Sequence, residues 1–213
     1  VVSNPSVVYA SQDTLVLSEP ANDRWWYFAD SEYEEATNLH RFDLTSPTDA
    51  VYTGSGRVKG TVPDQFGLSE KDGVLRVAST SGLMWFASGM ESQVTTLGGE
   101  GRLEILGHVG GIAPGERLWA SRFLDDRGFL ITFRNIDPLW TIDLSDPANP
   151  FIVGELEIEG VSTYLHPIEG DHLLAVGRGG NAAGLDGSVQ VSLFDVTDFG
   201  APALADELTL LPP

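Results

Sequence analysis

Residues 118–154 read LWASRFLDDRGFLITFRNIDPLWTIDLSDPANPFIVG, and the order of elements in that stretch decides the fold. Leu118 to Leu124 is an apolar strand that turns at Asp125-Asp126-Arg127-Gly128 and returns as Phe129 to Phe133. Aspartate and glycine suit the tight turn, while aromatic and β-branched residues suit the flanking strands. A third strand, Leu139 to Leu144, closes on Asp143-Leu144 and gives way to the polar turn Ser145 to Pro150. The fourth starts at Phe151 and runs through Gly154. Nothing in the stretch has the 3.6-residue period of a helix, so it predicts four strands in meander order.

The same grammar recurs on both sides. The closing element reads Gly56-Arg57-Val58, Gly107-His108-Val109, Gly154-Glu155-Leu156 and, with glycine replaced, Asp206-Glu207-Leu208, at steps of 51, 47 and 52 residues. Hairpins precede each copy: Val7 to Ala10 with Thr14 to Leu17, Phe66 to Glu70 with Val74 to Ala78 about Lys71-Asp72-Gly73, and Tyr164 to Pro167 with His172 to Val176. A period near fifty with four strands per unit fits propeller blades, whereas a solenoid coil has fewer strands and shorter units. The expected fold is all-β: a β-propeller of about four four-stranded antiparallel blades, near residues 1–62, 63–113, 114–160 and 161–213. A blade buries its two faces against its neighbours, so Tyr9, Phe66, Trp119 and Tyr164, on corresponding first strands, are expected in the inter-blade core.

Composition narrows the partners. Acids outnumber bases 31 to 12, for a formal charge of −19, and only Lys59 and Lys71 are lysines. Such a surface repels phosphate backbones, so nucleic acid is not expected as a partner. Cysteine is absent, which excludes disulfides and thiolate metal sites. No apolar run approaches the roughly 20 residues that span a bilayer. Val1 is not a methionine, so an upstream segment is expected.

Catalytic constellations are scarce. Gly-x-Ser-x-Gly does not occur, and Gly54-Ser55-Gly56 reads as a blade turn. His40, His108, His166 and His172 lack the paired spacing that aims two imidazoles at one metal. Of these, His166 is the most interesting, because Tyr164-Leu165-His166-Pro167 falls on a first strand, next to the axis if first strands are innermost. Asp43, Asp143 and Asp195 end equivalent strands, where a carboxylate accepts hydrogen bonds from the following turn. Calcium held by such carboxylates is the alternative, and no other cofactor is expected. The glycine-rich segment 177–187 lacks the Lys-Ser/Thr and helix of a phosphate loop. Trp25-Trp26-Tyr27-Phe28 sets aromatic rings on both faces of a strand, one of which suits stacking on a sugar or peptide.

The stretches FGLSEKDGVLRVAST (66–80), the third unit from 120 to 150, GVSTYLHP (160–167) and VSLFDVTD (191–198) resemble a family of secreted prokaryotic proteins with a C-terminal β-propeller distantly related to Trp-Asp repeats. That resemblance implies export to the cell surface, periplasm or medium, and carries no family-wide catalytic activity. It also implies more blades than four, so the chain is expected to be part of a larger ring, and its end blades would tend to self-associate. A compact four-blade ring, or two four-blade halves joined, would relieve the same exposure. The expected function is a non-enzymatic binding module for a protein or cell-surface polymer. The rival is an extracellular polysaccharide hydrolase or lyase at the channel mouth. Candidate ligand-binding residues are Trp25, Trp26, Arg122, Arg134, Asp137, His166 and Arg178; gathering of Arg122, Arg134, Asp137, His166 and Arg178 in one polar pocket would favour the enzyme.

Overall fold

Each fifty-residue unit pairs with itself before it meets the next. The architecture was taken from a computed structural model that describes residues 6–21, 35–82, 89–133, 137–181 and 184–210, without the side chains of 137, 181 and 184–186. The first sheet contains β1 (Val7–Ala10), β2 (Thr14–Pro20), β3 (Ala36–Asp43) and β4 (Val51–Lys59). The second contains β5 (Leu68–Lys71), β6 (Val74–Ser81), β7 (Glu91–Gly98) and β9 (Glu104–Ile112). The third runs through β10 (Arg117–Leu124), β11 (Arg127–Phe133), β12 (Asp137–Asp143) and β13 (Phe151–Ile158). The fourth holds β14 (Val161–Ile168), β15 (His172–Asn181), β16 (Gly184–Asp195) and β17 (Ala203–Leu210). All four sheets keep chain order, and their neighbouring strands are antiparallel. The expected all-β architecture of four four-stranded blades is therefore the observed one.

Two local features depart from the sequence reading. Phe66 does not begin a strand; it lies in the 3₁₀ turn Gln65–Gly67, where the Asp64 carboxylate accepts the amides of Phe66 at 2.8 Å and Gly67 at 3.3 Å. A short strand β8 (Gly101–Arg102), from the β7–β9 connection, also pairs in parallel with β4 and adds a fifth strand to the first sheet.

The bulges, rather than the Gly-x-aliphatic tripeptide, set the true equivalence between blades. Each third strand has an irregularity at Arg41/Phe42, Thr96/Leu97, Thr141/Ile142 or Leu193/Phe194. The residues paired with Arg41, Thr96, Thr141 and Leu193 are Gly54, Gly107, Gly154 and Asp206. Gly54 therefore stands where Gly56 was expected. Gly56 takes the place of an aliphatic residue, since a Cβ on it would lie 2.8 Å from the Cβ of Leu103, which fills that volume instead.

Three apolar clusters hold the sheets together, one at each internal seam. Val16, Leu39 and Val58 meet Leu68, Leu75 and Leu97 between the first and second sheets. Ala78, Val94 and Ile112 meet Leu118, Leu130 and Ile142 between the second and third. Phe129, Ile131 and Leu139 meet Leu165, Leu173 and Phe194 between the third and fourth. These side chains are almost completely buried. Full burial of one such aliphatic or aromatic side chain contributes roughly 1.5–3 kcal/mol, so the seams dominate cohesion.

Candidate functional site

One group of side chains from three sheets converges where β10 meets β14 and the 3₁₀ turn Gln65–Gly67. Arg122 on β10 donates from Nε at 3.0 Å and Nη2 at 2.7 Å to the carbonyl oxygen of Leu165 on β14. That pair of bonds fixes the guanidinium plane, which covers the Phe66 ring at 4.0 Å from its centroid and the Tyr164 ring at 5.5 Å. Phe66 and Tyr164 meet edge to face, with centroids 5.5 Å apart and planes at 70°. Tyr164 stacks on His166 at 6.2 Å and 21°, with its hydroxyl 3.2 Å from Nδ1. The Nη1 group of Arg122 has no hydrogen-bond partner among the described residues.

Local sequence explains this gathering. The Asp64 cap bends the chain so that Phe66 leaves the strand line and turns toward β10. Bulges at Leu118/Ala120 on β10 and Ser162/Tyr164 on β14 change which side chains face the next sheet. Tyr164 is 37 % exposed and Trp119 is 40 % exposed. Trp119 therefore stands outside the inter-blade core expected for it, at the β10 bulge and packed edge to face on Phe133 at 6.1 Å, whereas Tyr164, half-exposed on the outward face of the fourth sheet, still packs on Phe66 and Arg122 of two other sheets. Phe66 and Tyr9 are half-buried at seams, Tyr9 accepting the Glu70 amide at 3.2 Å.

Of the residues proposed from sequence, Arg122 and His166 are brought together through Tyr164. Arg178 is exposed and pairs with Val161 and Val189, four residues along β15 from the partner of His166. That spacing separates it by about 13 Å of strand. Trp25, Trp26 and Arg134 lie outside the described residues, as does the side chain of Asp137, whose backbone begins β12. Sequence reasoning missed the partnership of Phe66 and Tyr164 with Arg122, because a cation over two rings from different sheets leaves no spacing signal.

Other charged side chains are committed to seams. Arg41 donates to Thr53 Oγ1 at 3.0 Å, to the Gly73 carbonyl at 2.9 Å and to the Gly99 carbonyl at 2.7 Å. A cavity of about 380 Å³ opens beside it, bordered by Asp43, Glu70 and Glu100. Arg76 donates to the Asp125 carbonyl and lies over Phe123; burial pushes its guanidinium below the usual arginine value. Lys71 pairs with Asp126 at 2.6 Å, which raises the ammonium pKa, and Arg127 pairs with Asp171 at 3.1 Å. Asp43 accepts the amide and hydroxyl of Thr45, and Asp143 those of Ser145; Asp195 accepts the Thr197 amide at 2.9 Å. These aspartates close turns, as their recurrence suggested. No group of three or more metal-ligating side chains occurs among the described residues. No helix among them is long and apolar enough to cross a membrane.

Comparison with known proteins agrees with this architecture. The family model for the beta propeller domain matches residues 1–211. An uncharacterized protein of Methanocaldococcus jannaschii is 36% identical over 176 residues, covering 83% of this chain and 26% of the relative. An uncharacterized protein of Archaeoglobus fulgidus is 38% identical over 193 residues, covering 91% and 29%. The chain thus spans little more than a quarter of the length of these relatives. Among solved structures, a hypothetical selenium-binding protein from Sulfolobus tokodaii superposes with a TM-score of 0.54 at 10% identity, over 93% of this chain and 53% of that one. That likeness concerns the fold alone. Four meander sheets joined by apolar seams, together with a family match over almost the whole length, make this chain a member of the beta propeller domain family.

Proposed function

We propose that the domain is a binding module of an exported protein, and that its ligand, a protein or cell-surface polymer, rests on the inner-strand patch of Phe66, Arg122, Tyr164 and His166. The single observation that carries this reading is the half-exposed stack of one guanidinium on rings from two other sheets. Such a surface is rigid before the ligand arrives, because Arg122 is already anchored on Leu165, so little ordering entropy is lost on binding. Its exposed tyrosine and histidine present ring faces and polar tips together, the combination that suits sugars and extended peptides. The location outside the cytoplasm rests on the resemblance to secreted propeller proteins. The hydrolase or lyase reading needs three of Arg122, Arg134, Asp137, His166 and Arg178 in one pocket, and the described residues gather only two.

A panel of purified polysaccharides and exported proteins, probed with the longer polypeptide that contains this domain, tests the proposal. A retained ligand should bind about tenfold more weakly to Tyr164→Ala, with the fold intact by circular dichroism; one stacking contact of roughly 1.4 kcal/mol corresponds to that factor. Phe66→Leu should weaken binding in the same direction while keeping the seam filled. A panel that yields no ligand, or a ligand indifferent to both changes, overturns the reading.

A further inference from the structure

Ser55 lies inside β4, not in the blade turn expected of it, on the face of the first sheet turned away from the second. Its Oγ is 2.6 Å from His40 Nδ1 on β3 and 2.8 Å from the Tyr52 hydroxyl. His40 Nε2 is in turn 3.5 Å from a carboxylate oxygen of Glu19 on β2. With Nε2–H donating to Glu19, Nδ1 accepts the Ser55 proton, and the Tyr52 hydroxyl donates to Oγ. Hydroxyl, imidazole and carboxylate thus stand in the order that activates a serine. The Glu19 and His40 side chains are 23% and 22% exposed, whereas Tyr52 is 53% exposed, so the orienting end is sheltered and the reacting end is open. Tyr52 is held edge to face on Phe42 at 5.7 Å. Arg102, the partner of Ser55 across the parallel β4–β8 pair, stands beside it on the same face.

Packing of a blade does not call for this set. At the same register, the cross-strand pair His40 and Ser55 is replaced by Thr95 and His108, by Trp140 and Glu155, and by Ser192 and Glu207. The place of Glu19, three residues beyond the partner of the bulge residue, holds Ser79, Thr132 or Gly177. Serine, imidazole and acid therefore occur together in one sheet of the four, whereas a device of the repeat would recur in each. Nor does a neighbouring sheet close the position. His108 and Glu207 hold the place of Ser55 on faces that Val77 and Ala175 press onto the preceding sheet, and both stay exposed. The reason is their place on the last strand of the blade. Ser55 shares it, at the margin of the sheet formed by β4 and β8.

We propose that Ser55, His40 and Glu19 form an acyl-transfer centre that hydrolyses small carboxylic esters at the margin of the first sheet, independently of the Tyr164 patch. Ser55 Oγ attacks the ester carbonyl carbon as its proton passes to His40 Nδ1. The oxyanion is met by the Tyr52 hydroxyl and the Arg102 guanidinium. As the bond to the leaving oxygen breaks, that oxygen takes the proton from Nδ1 and departs as the alcohol, leaving the acyl group on Ser55. A water molecule then gives a proton to Nδ1 and its oxygen to the acyl carbon. The bond to Oγ breaks, the carboxylic acid leaves, and Ser55 recovers its proton from His40. Ester and water become acid and alcohol, with no other reactant consumed. Glu19 is a positioning residue: it accepts the Nε2 hydrogen, fixes the ring and favours the imidazolium formed in each half of the cycle.

The test uses the longer polypeptide that contains this domain, treated with a fluorophosphonate probe and, separately, with 4-nitrophenyl acetate. Mass spectrometry of the unaltered protein should place the phosphonyl adduct on Ser55, a result that needs no variant to fold. Ser55→Ala should abolish both that adduct and the hydrolysis above background. His40→Gln, which keeps a hydrogen-bonding amide, should slow both by about a hundredfold or more, the lower end of what a positioned base contributes. Glu19→Gln should lower kcat and leave KM unchanged, a split that a merely structural role does not produce. Absence of an adduct on Ser55 overturns the proposal. So does an adduct that His40→Gln leaves unchanged, which would mark a serine that is exposed and not activated, and so does hydrolysis that survives Ser55→Ala. Variants that lower only the unfolding midpoint, with no adduct on the unaltered protein, would show the array to be a structural hydrogen-bond network and overturn it equally.

Discussion

Gly154 shows how much a single residue does here. It has neither left-handed backbone nor a loop to turn; its role is to be small where the next sheet's turn arrives. Replacement by alanine places a methyl group 2.6 Å from the Gly200 oxygen and 3.1 Å from Pro202, with backbone and a proline ring as the obstacles. Gly154→Ala should therefore destabilise the domain by about 1–3 kcal/mol, the range for overpacking, as measured by urea unfolding. An unchanged midpoint would mean the turn moves aside freely. Arg122 illustrates the opposite case: the residue was a candidate from sequence, but its two aromatic partners were not, because Phe66 is 56 residues away and reaches it only through the 3₁₀ turn capped by Asp64.

Among the elements, the turns after the third strands are the most uniform, and their aspartates make them sensitive to acid. Hydrogen bonds from Thr45 hold the Asp43 carboxyl below its ordinary pKa, those from Asn149 and Ala148 do so for Asp146, and those from Thr197 for Asp195. A carboxyl with a lowered folded-state pKa stabilises the fold above its unfolded value near 3.9, and that contribution disappears as pH falls through the folded value. Thermal unfolding followed from pH 6 to pH 2.5 should show stability declining below about pH 4. An Asp43→Asn variant should start lower and decline less, so that the two curves approach each other in acid. Parallel curves would show that these hydrogen bonds do not distinguish the ionised form. Glu155 acts in the contrary sense: burial, Glu157 and Glu116 raise its pKa, so its ionisation weakens the fold as pH rises, and it offsets part of the acid loss.

At the scale of the whole molecule, a formal charge of −19 on 213 residues sets a self-repulsion that no single contact removes. The cations Arg41, Arg76, Arg127 and Lys71 each reach across a seam to the following sheet, and all twelve bases together are far outnumbered by 31 acids. Raising ionic strength from 0.01 to 1 M shortens the Debye length from about 30 Å to about 3 Å and screens that repulsion. The unfolding midpoint in scanning calorimetry should rise with sodium chloride over this range at pH 7. A midpoint that falls would show that the cross-seam ion pairs outweigh the net repulsion.

Fold class and repeat order were legible without coordinates, because period-two apolar strands, Asp-Gly turns and a fifty-residue recurrence are local properties of the chain. The turn-closing role of Asp43, Asp143 and Asp195 was legible for the same reason, since donor and acceptor are two residues apart. Blade equivalence was not: only the bulge registers reveal that Gly54 corresponds to Gly107 and that Leu103 fills the space above Gly56. Nor was the patch around Arg122. Those depend on which side chains distant stretches of chain press together, and that is settled by tertiary packing across seams, where contact follows sheet geometry rather than sequence spacing.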